Sequence, residues 1–153
     1  MIYTEEVCDL FSVSEDYRLV QCASADFALG KGIAVAFNTL FGVKERLQKE
    51  YPDYLIHWEQ EQKQFDCIPV GRVYNLITKK RYFQKPTYDT MQGAFHLLKT
   101  DCQKEEVKKL AMPLLGCGLD GLQWDRVSAM IKETFQDMEI EILVCRFGIA
   151  FLK

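Results

Sequence analysis

The chain has 153 residues, 48% of them hydrophobic, and a formal net charge of −3. That length fits one domain, residues 1–153, with a single core, and the acidic balance excludes a general nucleic-acid coat. No apolar run approaches the roughly 20 residues of a membrane span, and the opening MIYTEEVCDLF carries acids where a secretory leader needs a basic region, so a cytoplasmic protein (or a nuclear one in a eukaryote) with no membrane partner is expected.

In chain order, a short strand is predicted at Ile2 to Thr4, and RLVQCAS (18–24) reads as a second. GIAVAFNTLFG (32–42) reads as a helix that stops at Gly42, with VKERLQKEY as a second short helix behind it. The polar, aromatic segment 53–68 fits neither period and is read as a loop or hairpin. RVYNLIT (72–78) is a strand. Pro86-Thr87 opens a helix with Met91, Phe95, Leu98 and Cys102 at spacings of three and four. KLAMPLL (109–115) is the next strand, and Asp125 is placed to cap a helix whose stripe is Val127, Met130, Ile131 and Phe135. The run from Ile140 to Phe147 has a continuous apolar centre, ILVC, as in a strand covered on both faces. Strands alternating with helices give an α/β domain with helices on both faces of a mostly parallel sheet.

Six cysteines, at 8, 22, 67, 102, 117 and 145, form no CxxC pair and sit within apolar stretches. Buried reduced thiols are expected, rather than zinc ligands or a disulfide framework. In a sheet of this kind ligands lie beyond the carboxyl ends of the strands. Two glycine-bearing loops fall there, SADFALGKGIA (24–34) and GCGLDG (116–121), together with the strand-end cluster KKRYFQK (79–85). Gly30 and Gly32 precede a helix whose amides favour anions, although an ordinary strand-to-helix turn has the same form. Two such loops at one sheet edge point to a diphosphate between them, without the GxGxxG fingerprint of a dinucleotide fold. The basic cluster, four cations around two aromatics, is either solvated surface or a place that attracts phosphate.

Catalytic groups are few. The two histidines are His57, in the unassigned segment, and His96, off the apolar stripe of its helix. Cys117 reads as a small thiol in a tight turn. Asp120 and the strand-end lysines remain. A lysine attacks only as the neutral amine; burial favours that form and a nearby carboxylate opposes it, so Asp120 would have to take the proton during reaction. An inert surface ion pair is the competing reading.

NLITKKRYFQKPTY and MPLLGCGLDGLQWDRVSAMI, preceded by CDLF and LGKGIAVAF, closely resemble the terminal ADP-ribose protein glycohydrolase branch of the macrodomain family, to which the DNA-ADP-ribose hydrolase antitoxins are related. The resemblance runs from about Asp9 to Val144 with the four motifs in the family's order. It implies a three-layer α/β/α macrodomain with a mixed, largely parallel sheet, and a cleft for ADP-ribose. It implies hydrolysis of the bond between ADP-ribose and an acyl group or a base, with no metal and no cofactor. By motif, Lys79 matches the nucleophile that forms a transient lysyl–ADP-ribose, and Asp120 the acid/base that helps resolve it. Asp9 matches the acid that binds the adenine amino group, with Leu10 beside it. Ser24, Gly30, Gly32 and Ile33 match the first ribose-phosphate loop, and Gly116, Cys117, Gly118 and Leu119 the second. Thr78 would line the distal ribose, and Phe147 is a candidate contact to adenine.

The chain departs from the family at ADFA (25–28), where a more polar stretch is usual, at Lys31, in the length of 53–68, and in the terminal RFGIAFLK. The leading expectation is a monomeric hydrolase that removes mono-ADP-ribose from Glu or Asp esters, and from O-acyl-ADP-ribose such as O-acetyl-ADP-ribose. The alternatives are a non-catalytic ADP-ribose reader and a hydrolase of ADP-ribosylated nucleic acid, for which Lys79 to Lys85 could guide the strand.

Overall fold

The computed structural model describes residues 1–146. Its strands are β1 (Ile2–Glu6), β2 (Arg18–Ser24), β3 (Asp66–Val70), β4 (Val73–Lys79), β5 (Lys109–Met112) and β6 (Glu141–Cys145), in one sheet of order β1-β6-β5-β2-β4-β3. Every neighbouring pair is parallel except β3 with β4. The helices are α1 (Ile33–Phe41), α2 (Val43–Glu50), α3 (Tyr54–Gln60), α4 (Tyr88–Lys104) and α5 (Trp124–Phe135).

Successive side chains of a strand point to opposite faces, and here both faces are covered. On β4, Val73 and Ile77 join Phe37, Leu47 and Trp58 of α1, α2 and α3 in one core. Tyr74 and Leu76, on the other face, join Met91, Phe95 and Leu98 of α4 and Ile131 and Phe135 of α5. Continuous apolar runs such as ILVC follow from this double coverage. The exception at the sheet centre is a buried polar pair: Gln21 Nε2 donates to Asn75 Oδ1 at 2.8 Å, and Asn75 Nδ2 donates to the Ile68 carbonyl at 3.0 Å.

Element ends follow local chemistry. Gly42 sits at φ 61° and returns its N–H to the Asn38 carbonyl, which closes α1 and lets α2 start at once. Thr87 opens α4: its Oγ1 accepts from the Thr90 amide while Thr90 Oγ1 accepts from the Thr87 amide. Asp125 does not cap α5. That helix starts at Trp124 after Gln123, and Asp125 lies in its first turn, where its charge meets the positive end of the helix dipole. The segment 53–68 is not a loop or hairpin by itself. It holds α3, which buries Tyr54 and Trp58 one turn apart, and then the start of β3, an edge strand that carries Pro69 exposed. The strand predicted over 109–115 ends at Met112, ahead of Pro113, which has no N–H to donate.

All six cysteines are free; Cys67, Cys102 and Cys145 are buried, while Cys8, Cys22 and Cys117 are partly exposed. Among the described residues no helix is long and apolar enough to cross a membrane.

Glu5 ties three elements together. Its carboxylate accepts from the Tyr3 hydroxyl at 2.6 Å, from Trp124 Nε1 at 3.0 Å and from Arg146 at 2.5 Å. Partial burial opposes its ionisation, but these donors outweigh it and hold the carboxyl below its ordinary range. Stability from a depressed carboxylate is present above its unfolded pKa and is lost as pH falls through the folded one. Glu5→Gln is therefore expected to lower stability at neutral pH by about 1 kcal/mol, with the gap to wild type closing below about pH 4. Thermal melts by circular dichroism across that range check it; a pH-independent gap would contradict the assignment.

Candidate active site

Because β1, β6, β5, β2 and β4 all run parallel, their carboxyl ends meet at one rim. The segment after β1 brings Asp9 there. The turn after β2 brings 24–32, the end of β4 brings Lys79, and the segment after β5 brings 113–123.

The first loop is tied to β4 rather than free. Past a register shift at Ala23/Ser24, the Ala25 amide donates to the Lys79 carbonyl at 2.9 Å and the Asp26 amide to the Lys80 carbonyl at 3.1 Å. Asp26 then gathers the loop: Oδ1 accepts from Ser24 Oγ at 2.5 Å and from the Ala28 amide at 3.2 Å, while Oδ2 accepts from the Tyr82 amide at 3.0 Å. Phe27 and Leu29 hold positive φ, 54° and 45°, with both side chains in the core. Phe27 stacks on Tyr54 of α3 at 5.0 Å between centroids. Burial of these apolar residues thus offsets backbone strain of the kind that clusters at functional loops. Gly32, at φ 62°, is the N-cap of α1 and supplies no side-chain cap, so the first amides of that helix stay available at the rim.

The second loop is a folded turn. The Cys117 amide donates to the Leu114 carbonyl at 3.2 Å, and the Leu122 amide to the Gly116 carbonyl at 2.9 Å. Gly116 is required here: φ is 75°, and a Cβ would stand 3.0 Å from Leu122 Cδ1 and 3.3 Å from Met91 Cε. Gly118 and Gly121 face open space.

Between the loops, Lys79 Nζ donates to Asp120 Oδ1 at 2.7 Å. The two side chains are 14% and 17% exposed, so the pair is largely withdrawn from water. Partly buried pairs add little net stability, because desolvation opposes the Coulomb gain. The pair is therefore partly buried rather than a solvated surface pair. Cys22 of β2 lies close behind; burial, and then the charge of Asp120, push its thiol well above its ordinary value. Burial also raises the Cys117 thiol to about 11, and its Sγ donates to the Leu115 carbonyl at 3.3 Å, so it is a protonated thiol at neutral pH. His57 and His96 are exposed on α3 and α4, outside the rim segments.

The other expected site residues divide. Gly30, Gly32, Gly118 and Leu119 are exposed at the rim; Ile33, Gly116 and Cys117 are partly exposed, and Ser24 is buried beneath Asp26. Asp9 Oδ1 accepts from the Phe11 amide at 3.0 Å and Oδ2 from Ser12 Oγ at 2.8 Å, capping a 3-10 turn at Leu10–Ser12. Leu10 is fully buried, so its side chain belongs to the core. Thr78 is buried too, with Oγ1 unpartnered among the described residues. Phe147 lies outside the described residues. Sequence reasoning missed Asp26, whose four-residue stretch reads as apolar. Lys85, the last cation of the basic cluster, donates from Nζ to the Leu119 carbonyl of the second loop. Among the described residues no three His, Cys, Asp or Glu side chains cluster as metal ligands.

No protein-family model matches the chain. It is 40% identical over 140 residues to human ADP-ribose glycohydrolase OARD1, covering 89% of this chain and 86% of that protein. The macrodomain of Thermus aquaticus DarG superposes with a TM-score of 0.72 at 23% identity, over 94% of this chain and 97% of that one. The chain belongs to the macrodomain family. The macrodomain of Mycobacterium tuberculosis DarG fits with a TM-score of 0.74 at 19% identity, again over 94% of this chain and over 96% of that one. At the sequence level this macrodomain is also 26% identical over 136 residues to a DNA ADP-ribosyl glycohydrolase of Thermus aquaticus, of which it spans 36%. In this macrodomain Lys79 and Asp120 meet at the rim formed by the carboxyl ends of the parallel strands.

Proposed function

We propose that this macrodomain is an ADP-ribose glycohydrolase that removes mono-ADP-ribose from carboxylate esters of Glu or Asp through a lysyl–ADP-ribose intermediate. The 2.7 Å contact between Lys79 Nζ and Asp120 Oδ1 at the rim carries the reading. A pure binding module needs no proton acceptor against a lysine. The glycohydrolase name of its human relative, at 40% identity, supports the same activity.

The rim suits a long ligand. From the end of β1 to the end of β4 is four strand spacings, about 19 Å at ~4.8 Å each. Asp9 would take the adenine end and the loops at 24–32 and 116–121 the diphosphate, with Lys79 and Asp120 at the distal ribose. Asp120 accepts a proton from Lys79, and the freed amine attacks C1″. The C1″–O bond breaks, and the substrate carboxylate leaves with the bonding pair. Asp120 then releases to solvent the proton it took and, as a carboxylate again, takes a proton from the water that adds at C1″. The hydroxyl stays on the ribose, the C1″–N bond breaks with its pair on the lysine nitrogen, and Asp120 passes the water's proton to that amine. Deacylation of O-acetyl-ADP-ribose needs attack at the acyl carbon instead, and belongs to the proposal as a second substrate of the same cleft.

The test incubates the protein with a peptide ADP-ribosylated on Glu and follows free ADP-ribose and unmodified peptide. Release of both in equal amounts is expected. Tight binding of ADP-ribose with no release from the ester would overturn the enzyme reading in favour of a reader.

A further inference from the structure

The segment that leaves β1 carries a pair of thiols that the hydrolytic chemistry does not use. β1 and β6 run side by side, and their last paired residues are Glu6 and Cys145. The Arg146 amide still reaches the Glu6 carbonyl at 2.9 Å. The chain then bends at Val7, and Cys8 comes back against the end of the ladder. Its Sγ lies 3.8 Å from the Glu6 carbonyl and 2.8 Å from Cys145 Sγ. Both thiols are free. They stand 137 positions apart in sequence, and the pairing of β1 with β6 is what brings them together.

The two differ in access. Cys145 is fully buried, and burial, followed by its contact with Cys8, pushes its thiol well above the ordinary range. Cys8 is partly exposed, so an oxidant in solution meets it first, with Cys145 in contact behind it. The surroundings select the oxidant. Glu6 and Asp9 flank Cys8, and Arg146, on the neighbouring strand end, is already paired with Glu5. Negative charge disfavours a thiolate and repels anions. A small neutral hydroperoxide therefore suits the site better than an anionic disulfide.

Position gives the pair a consequence. Asp9 directly follows Cys8; its carboxylate caps the turn at Leu10–Ser12, and Leu10 anchors that turn in the core. Val7, at the bend itself, is 73% exposed, so packing does little to fix it. With adenine at Asp9, this bend is one wall of the cleft, and the effect on binding rests on that proposed placement.

We propose that Cys8 and Cys145 form a reversible disulfide that staples the adenine end of the cleft when a hydroperoxide is present. With hydrogen peroxide, the Cys8 thiolate attacks one oxygen and the O–O bond breaks. Hydroxide leaves with the bonding pair and takes up the thiol's proton as water, and Cys8 becomes a sulfenic acid. Cys145 then attacks the Cys8 sulfur. The S–S bond forms, the S–O bond breaks, and the hydroxyl leaves as water with the Cys145 proton. The thiols have lost two electrons and two hydrogens, and the peroxide is reduced to two waters. A dithiol reductant reverses the bond by attack at the accessible sulfur of Cys8. Because the sulfurs already touch, closing to the ~2.05 Å of a disulfide keeps the bend in the conformation that Asp9 caps. The wall then has less freedom to lose when a ligand lands on it.

The experiment treats the reduced protein and a Cys8→Ser variant with hydrogen peroxide. Intact-protein mass spectrometry of wild type should show the loss of two hydrogens, restored by dithiothreitol, and non-reducing peptide mapping should join the peptides that hold Cys8 and Cys145. Oxidised wild type should melt roughly 5–10 °C above the reduced form. In titration calorimetry it should bind ADP-ribose roughly threefold to tenfold more tightly. Cys8→Ser should match reduced wild type in both readouts and respond to peroxide in neither. A bond between other thiols, or a sulfinic acid on Cys8 without a cross-link, overturns the proposal. So does a Cys8–Cys145 cross-link that leaves the affinity for ADP-ribose unchanged. If neither form binds ADP-ribose, the glycohydrolase reading fails, while the mapped bond and the raised melting temperature still support the disulfide.

Discussion

Lys79→Ala is expected to abolish release of ADP-ribose from a Glu-linked peptide, with kcat down about a thousandfold or more, equivalent to roughly 4 kcal/mol of transition-state stabilisation. The lysine contributes the bond to C1″, and no neighbouring group replaces it. Cys117 keeps its proton and bonds the Leu115 carbonyl, Cys22 is pushed further from ionisation by burial and by Asp120, and both histidines are exposed on α3 and α4. Affinity for ADP-ribose should change only severalfold, because the proposed diphosphate contacts come from the loop amides. Lys79→Arg refines the test. A guanidinium preserves the positive charge beside Asp120 but does not give up a proton to become a nucleophile. If the lysine serves only as a charge that stabilises a developing anion, Lys79→Arg retains much of the activity; if it forms the covalent bond, Lys79→Arg is as inactive as Lys79→Ala. Titration calorimetry with ADP-ribose alongside product release separates loss of chemistry from loss of binding.

How much of this was legible in the sequence depends on the range of the interaction. The parallel strands announced themselves because sheets covered on both faces need long apolar runs: β6 has an unbroken one, and those of β2 and β4 are interrupted only by the paired Gln21 and Asn75. Gly42 and Thr87 also read correctly, since a helix stop at positive φ and a capping threonine act within a few residues. The segment 53–68 failed for the same reason turned round. α3 has only seven residues and begins after Asp53 at φ 59°, with no side-chain cap. Its two buried aromatics are specified by the core they enter. Edge strand β3 pairs only with β4, antiparallel, with Pro69 exposed, so neither its alternation nor its composition stands out.

The candidate site divides along the same line. The loops were visible from their glycines, and the family resemblance singled out Lys79 and Asp120. Their contact, across 41 positions of sequence, is a product of strand order. Nothing local predicts that β2 separates β5 from β4, and it is this order that sets the first loop, after β2, between the strand that ends in the lysine and the strand that leads to Asp120. Asp26 shows the limit most sharply. In ADFA it is one acid among apolar neighbours, a reading that makes the first loop less polar than usual. In the fold its two oxygens collect Ser24, Ala28 and Tyr82, so one carboxylate joins the first loop to the turn after the lysine. The apolar residues around it are apolar because they enter the core: Ala25 and Phe27 are buried.

Asp120→Ala is expected to leave ADP-ribose attached to Lys79. The two steps make different demands on the carboxylate. In the first it removes a proton from the amine, a task that solvent performs slowly in its absence. In the second it handles the proton of a water that must reach C1″ in a site where the lysine side chain is only 14% exposed. Removing a positioned acid/base typically costs about 10² to 10⁴ in rate, and the loss should fall more heavily on the second step. The adduct then accumulates. Intact-protein mass spectrometry after mixing Asp120→Ala with the Glu-linked peptide should show one added ADP-ribosyl group per chain, and peptide mapping should place it on Lys79. The Lys79→Ala/Asp120→Ala double variant should show none, which distinguishes attack by Lys79 from incidental glycation of the exposed Lys85. Asp120→Asn keeps the size of the side chain without a proton acceptor and should trap the adduct as well. Full turnover in either Asp120 variant would mean that the 2.7 Å contact orients the lysine without carrying its proton.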